Sequence, residues 1–330
     1  MENLENNDIS FDSRLPLNEL KSQIEAIKNE LRKVIVGQEE LIDLLLVSLI
    51  SNGHVLIEGV PGLAKTLTAK LLAKTIQTQF SRIQFTPDLM PSDILGTSIF
   101  NNQTNQFEFK QGPIFSNFIL IDEINRAPAK TQSALFEVME ERQITIDGNT
   151  YLMEQPFIVL ATQNPIEQEG TYSLPEAQLD RFLMKITIDY PTLEQEVQLL
   201  NLEQANENVV KTNLINPVIK STQLIDFQKT ALKVLVEPHL IQFIAQIVNN
   251  TRNHNFLYLG ASPRASIAIL NASKSFALIN GRDFVTPDDI KYIAYYVLNH
   301  RLILSPEREM EGITIKDVVK QIVDTVEIPR

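Results

Sequence analysis

Three groups of residues combine side-chain type and spacing in a way that could do chemistry. The first lies in the stretch 54–66, HVLIEGVPGLAKT, where Gly59, Pro61 and Gly62 lead into Lys65 and Thr66. A glycine-bearing turn from a strand into a helix can wrap a polyphosphate in backbone N–H groups, and the helix dipole favours negative charge there. Lys65 would reach the β- and γ-phosphates, and the Thr66 hydroxyl would bind magnesium. The general pattern G-x-x-x-x-G-K-[ST] has glycine before the lysine, whereas this chain has Ala64. Taken alone, the stretch is equally well a chance turn.

The second group is Asp122 and Glu123, which end the apolar run FILIDE. Asp122 would hold magnesium through water, and Glu123 would polarise an attacking water. Two solvated acids at a strand end are the plainer alternative; a phosphate loop upstream is what turns them into a site. The run is expected to lie beside the strand HVLIE. The third group is Asn164 in ATQNP, at the end of a strand between the other two. Its carboxamide could orient the lytic water, although Asn-Pro also simply makes a turn.

Composition narrows the classes. The chain has no cysteine, which excludes disulfides, thiol nucleophiles and thiolate metal sites and fits a reducing compartment. No two of His54, His239, His254 and His300 have the spacing of helical metal ligands. A net charge of −12 argues against gripping nucleic acid by bulk charge. The opening MENLENNDISFDSR lacks the apolar core of a signal peptide, and LIDLLLVSLI at 41–50 is too short to span a bilayer. The expectation is a soluble, cytoplasmic protein without membrane insertion.

These groups need elements to position them. Leu17, Leu20, Ile24, Ile27, Leu31 and Val34 follow in steps of three and four, a helical face, with Pro16 suited to its first turn. Gly37 breaks that helix, and a second runs over 38–51. Then short buried strands alternate with helices: HVLIE, a helix over 65–76, RIQF, FILID, a helix over 130–142, FIVLAT and MKITI. Continuously apolar strands separated by helices indicate a parallel sheet covered on both faces. The segments 94–113 and 143–153 read as hairpins, the latter turning at Asp147-Gly148. Beyond residue 191 the chain reads as helical without a convincing strand. One helix is capped by Ser262 with Pro263 next, another by Thr286 with Pro287 next.

Four blocks in order, GVPGLAKT, FILIDEINRAPAKTQSALFEVMEERQITIDG, VLATQNPIEQEGTYSLPEAQLDRF and SPRAS, resemble the MoxR branch of the AAA+ ATPases over about residues 30–330. The resemblance implies a P-loop α/β fold with a five-stranded parallel sheet and a smaller all-helical lid. It divides the chain into a tail at 1–15, a nucleotide-binding core at 16–191 and the lid at 192–330. Lys65 and Thr66 match Walker A, Asp122 and Glu123 Walker B, and Asn164 sensor 1. Arg181 matches the arginine finger that reaches a neighbouring subunit's ATP, and Arg264 matches sensor 2 on the lid. The hairpins resemble the helix-2 and pre-sensor-1 insertions. Val36 and Gly37 match the segment bordering adenine, and the loop from Gly59 through Val60, Pro61, Gly62, Leu63, Ala64, Lys65 and Thr66 to Leu67 would hold the nucleotide. Ser173 stands where the family has proline, which makes that loop less rigid.

The implied cofactors are ATP and Mg2+, and the implied reaction is hydrolysis of ATP to ADP and phosphate. A finger acting in trans implies a ring, a hexamer, whose motions remodel client proteins, with von Willebrand factor A-domain proteins as partners. Ala64 fits a working loop if its φ is negative, since a left-handed conformation costs a non-glycine residue about 1–2 kcal/mol. A left-handed Ala64 would favour a decayed site. Arg264, a cation in the first turn of a helix, sits against the dipole and invites a ligand explanation. Arg126 reads as a structural or intersubunit ion pair, and Glu137, Glu140 and Glu141 as a solvated helix face. Two other classes stay open: a module that holds ATP without hydrolysing it, and a nucleic-acid motor. The hairpins carry Lys110 and little other positive charge, which weighs against the motor.

Overall fold

The computed structural model describes residues 15, 17–165, 171–205 and 209–327. The segment 1–14 and Pro16, read above as a tail and a first helical turn, lie outside the described residues. Helix α1 (Leu17–Arg32) buries Leu17, Leu20, Ile24, Ile27 and Leu31, the face its spacing foretold. Gly37, at φ +73, turns the chain into α2 (Glu39–Ile50), a helix buried along most of its length. The alternating section follows: β1 (Val55–Glu58), α3 (Lys65–Thr75), β2 (Phe80–Gln84), the short α4 (Pro91–Leu95), and a hairpin of β3 (Gly96–Asn101) and β4 (Gln106–Gln111). After β5 (Phe118–Asp122) and α5 (Ala129–Glu141) comes a second hairpin, β6 (Gln143–Ile146) and β7 (Asn149–Leu152). It turns at Asp147 and Gly148, both with positive φ, as a two-residue hairpin loop requires. Then come β8 (Ile158–Gln163), the short α6 (Glu176–Leu179) and β9 (Met184–Thr187).

The sheet is parallel throughout, in the order β2-β5-β8-β1-β9. The expectation that FILID lies beside HVLIE is therefore corrected, because β8 separates them. Both β5 and β8 are apolar on both faces, which marks them as interior without saying which interior place each takes. The period of two sorts each strand between two cores. Val55, Ile57, Phe118, Leu120, Ile158 and Leu160 face one core, with α1, α2, α3 and the C-terminal helices. Leu56, Ile119, Ile121, Val159 and Ala161 face the other, with α5 and the base of the hairpins.

Beyond residue 191 the chain forms α7 (Leu193–Ala205), α8 (Ser221–Leu232), α9 (Pro238–Arg252), β10 (Leu257–Leu259), α10 (Pro263–Ile279), α11 (Pro287–Leu298), β11 (Ile303–Leu304), α12 (Pro306–Met310) and α13 (Ile315–Thr325). The Ser262 hydroxyl accepts the Arg264 N–H at 3.2 Å, and Thr286 and Asp289 form a reciprocal capping box. The helical reading holds except for β10 and β11, an antiparallel pair too short to leave a periodic signal. Helix α10 packs on α2 as well as on α8, α9 and α11, so one apolar cluster runs across residue 191.

Candidate functional site

Every parallel strand ends on the same edge of the sheet, so the chemistry-bearing ends of β1, β5 and β8 converge there. The Gly59 N–H donates to Gln163 O at 3.3 Å, and a Cβ on Gly59 would stand 3.0 Å from Ile188 O. Gly62 at φ +91 and Ala64 at φ +56 curl the loop into α3. The expected negative φ at Ala64 is thus corrected: the residue is left-handed, because the curl of the loop imposes that conformation on whatever stands there. Alanine carries a cost of about 1–2 kcal/mol that the surrounding contacts hold in place. Ala64 O accepts the Thr68 N–H at 2.8 Å and the Thr68 hydroxyl at 3.0 Å, while Gln38 Nε2 donates to Leu63 O at 2.7 Å.

That conformation weighs toward a decayed site; against it stands the placing of Lys65 and Thr66 at the start of α3. Thr66 Oγ1 lies 3.4 Å from Asp122 Oδ2, which brings the first two residue groups together. Asp122 is buried, with Oδ1 accepting the Thr162 hydroxyl at 3.1 Å and Oδ2 accepting Arg82 Nε at 2.6 Å. The Glu123 N–H donates to the same Thr162 hydroxyl at 3.1 Å, and Glu123 is left-handed at φ +58. Its carboxylate meets Gln84 Nε2 at 2.8 Å and Arg126 Nε at 2.9 Å, so Arg126 is an ion-pair partner within the chain. Asn164 is buried one residue past β8, between the loop and the acids. Lys65 Nζ donates to Gly59 O at 2.6 Å. Burial pulls its pKa below the ordinary lysine value, against the opposing pull of Asp122, Glu123 and Glu58. Sequence reasoning missed Thr162, Arg82 and Gln84; a polar residue ending an apolar strand was the available signal for Thr162.

The two arginines lie elsewhere. Helix α5 runs back along the sheet, and its last turn reaches the opposite edge: Met139 O meets His54 Nε2, just before β1, at 3.1 Å. Glu140 in that turn pairs with Arg264 Nη2 at 2.8 Å and lies 3.8 Å from Arg181 Nε. Arg181 also donates to Phe136 O. Glu140 therefore corrects the plain solvated-face reading, since it gathers both arginines. Neither arginine is brought to Lys65 of its own chain. The corner is held by Arg301, a buried guanidinium that pairs with Asp180 Oδ1 at 2.6 Å and donates to Phe182 O at 2.6 Å. Asp180 Oδ2 accepts the Ser262 hydroxyl at 2.9 Å. Ser173 is exposed, yet its loop is tethered by the Tyr172 N–H to Asn125 O bond of 2.7 Å and by buried Leu174.

A cavity of about 400 Å3 opens beside the loop, lined by Val36, Gly37, Leu63, Ala64, Leu67 and Tyr190, among others. Its walls are largely apolar and suit a planar base. Gly37 is needed there for its positive φ; a Cβ would also stand 2.4 Å from the Gln195 side chain of α7, whose flexible end would have to move. For a metal, Thr66 and Asp122 offer hard oxygens, and no cluster of three His, Cys, Asp or Glu that could hold an ion exists among the described residues. That donor set fits Mg2+, which keeps waters and takes few protein ligands where phosphate oxygens complete its shell.

The geometry agrees with comparisons to known proteins. The family described as "ATPase family associated with various cellular activities (AAA)" matches residues 54–184, and the AAA lid domain matches 249–322. The chain is 46% identical over 299 residues to "Uncharacterized protein YeaC" of Bacillus subtilis, covering 91% of this chain and 92% of that one. It is 43% identical over 310 residues to "Chaperone MoxR1" of Mycobacterium tuberculosis, covering 91% and 81%. A solved structure described as "a putative ATPase from Cytophaga hutchinsonii" superposes with a TM-score of 0.88 at 44% identity, covering 94% of this chain and 96% of that one.

Proposed function

The chain belongs to the MoxR branch of the AAA+ ATPases, and we propose that it hydrolyses ATP with Mg2+ in a ring and uses the cycle to remodel partner proteins. One observation carries the reading: the Thr66 hydroxyl and the Asp122 carboxylate meet at 3.4 Å beside a loop that ends in Lys65. ATP would lie with its base in the cavity at Val36 and Gly37 and its phosphates along 59–66. Thr66 and Asp122 would hold Mg2+, which supplies charge neutralisation at the phosphates. Lys65 moves from Gly59 O onto a phosphate oxygen. Glu123 accepts a proton from the attacking water, and Asn164 orients that water. Thr162 fixes both acids by bonding Asp122 Oδ1 and the Glu123 N–H.

Arg181 and Arg264, gathered by Glu140 at the far edge of the sheet, would serve the ATP of the next subunit. A ring follows from that division, with six subunits as the family's expected count. The core would span 16–191 and the lid 192–330, and the two hairpins would press on the client, a von Willebrand factor A-domain protein being the expected partner. No helix among the described residues is long and apolar enough to cross a membrane.

The test is the ATPase rate per subunit against protein concentration, run beside sedimentation. The rate should rise with assembly and be abolished in Lys65→Ala and Glu123→Gln. Tight ATP binding without turnover at any concentration would instead make the chain a nucleotide-gated binding module. Stimulation by DNA with a steep salt dependence would make it a motor.

A further inference from the structure

Helix α7 carries leucines on two opposite faces, and its own chain partly covers one of them, where Leu199 is still 44% exposed. Gln195, Leu199 and Leu202, spaced i, i+4, i+7, turn inward, against Gly37 and into the cavity beside the nucleotide loop. Leu193, Val197 and Leu200 have the same spacing half a turn away and stand open, with Leu193 75% and Leu200 63% exposed. A helix apolar on both faces is ordinarily a buried helix. Its only charged residues are acids, Glu194, Glu196 and Glu203.

A second patch has the opposite character. The strand β10 just before Arg264 in the chain exposes Tyr258 and Leu259, and α10 exposes Ile267 one turn beyond Arg264. Arg252, also exposed, adds a cation to that corner and donates to Ala261 O. The patch thus sets apolar side chains beside Arg252 and beside Arg264, whose charge Glu140 offsets in the single chain, where the α7 patch sets apolar side chains beside glutamates. On the proposed reading each patch borders one half of a divided site: α7 the nucleotide cavity, the β10–α10 corner the two arginines that Glu140 holds away from Lys65 of their own chain. Two different, complementary surfaces make a head-to-tail contact, which closes into a ring when the rotation allows.

Resting on the reading of a shared ATP site, we infer that the Leu193, Val197 and Leu200 face of α7 is the seat of a second copy of this chain, which docks its β10–α10 corner there. The contact couples assembly to nucleotide, because the inner face of the same helix lines the base cavity.

The chain has no cysteine, so two introduced thiols report this contact cleanly. Full-length Leu200→Cys and Ile267→Cys chains are mixed with Mg-ATP and mildly oxidised. The expected product is a crosslink between one chain of each kind, exceeding the like-with-like products. In parallel, Leu200→Glu should raise the concentration of half-maximal assembly by about tenfold or more while ATP affinity of the dilute protein stays within about twofold. Intact assemblies without the mixed crosslink, or assembly unchanged by Leu200→Glu, would overturn the inference and leave the face to a client protein. Failure of the unsubstituted chain to assemble with ATP sinks the ring itself. Loss of ATP binding in Leu200→Glu, with assembly unchanged, also counts against the contact.

Discussion

Glu140 holds Arg264 at 2.8 Å, tying the last turn of α5 to the first turn of α10 at the sheet edge away from Lys65. The pair is partly exposed, so it contributes about 0–1 kcal/mol to stability. Arg264→Ala should leave urea unfolding within that range and leave ATP affinity of the monomer unchanged, yet reduce turnover tenfold or more in the assembled state, since each tenfold is about 1.4 kcal/mol of barrier. Mixing supplies the decisive measurement. Glu123→Gln chains keep their arginines, and Arg264→Ala chains keep their own acids, so a mixed assembly should recover activity. No recovery on mixing would mean that Arg264 does not act across a subunit boundary.

Ala64 is the strained point of the nucleotide loop. Glycine relieves about 1–2 kcal/mol of left-handed strain but adds about 0.4–1 kcal/mol of unfolded-chain entropy. Ala64→Gly should therefore raise stability by up to about 1.6 kcal/mol, with ATP binding preserved. Ala64→Val adds a branched Cβ to the same φ of +56 and should weaken ATP binding more than tenfold, on the scale of about 1.4 kcal/mol per decade. Isothermal titration of both variants checks this. Equal affinity in the valine variant would show that the loop abandons the left-handed turn.

What could be read in the sequence divides by the range of the cause. The helix of Leu20, Ile24, Ile27 and Leu31, the strand FILID and the turn at Asp147-Gly148 follow from local spacing and turn chemistry, and all stand where expected. The strand of Asn164 stands between the other two groups as expected, while the pairing of FILID with β1 was misread, because apolar runs announce burial and not partners. Ala64 was misread because the φ of a loop residue belongs to the path of the loop, and Ala64 alone carries no sign of it. Thr162, Arg82 and Glu140 gain their roles only by contact with residues 40 or more positions away, or across the sheet, as with Glu140 and Arg264.

Thr162 serves two acids with one hydroxyl, donating to Asp122 and accepting from the Glu123 N–H. Thr162→Val keeps the shape and removes both bonds. A buried N–H left without a partner costs about 1–3 kcal/mol, so denaturant midpoints should fall accordingly. Glu123 would also lose its anchor, and turnover should drop by about tenfold or more, with a smaller change in ATP affinity. Thr162→Ser should restore most of both. A serine variant as slow as the valine one would mean that the methyl group, and not the hydroxyl, positions the acids.

His54 makes stability fall on acidification. It is buried before β1, with Nδ1 accepting the Val159 N–H at 3.0 Å and Nε2 facing Met139 O at 3.1 Å, so the neutral ring uses both nitrogens. Burial, with a smaller push from Arg142, pulls its pKa from 6.5 down to about 4. Above pH 6.5 neither state is protonated at this ring. Between 6.5 and about 4 the unfolded chain binds a proton that the folded chain refuses, so stability declines as pH falls. Below about 4 the folded ring also protonates and this contribution levels off, after a loss of roughly 3 kcal/mol. Buried His300, pulled well below its ordinary value chiefly by burial, adds a second slope of the same sign. His54→Gln can still offer an acceptor to Val159. It should flatten the stability curve between pH 6.5 and 4.5 by about one proton's worth, measured by urea unfolding at a series of pH values. An unchanged slope would show that His54 protonates in the folded protein as readily as in the unfolded chain.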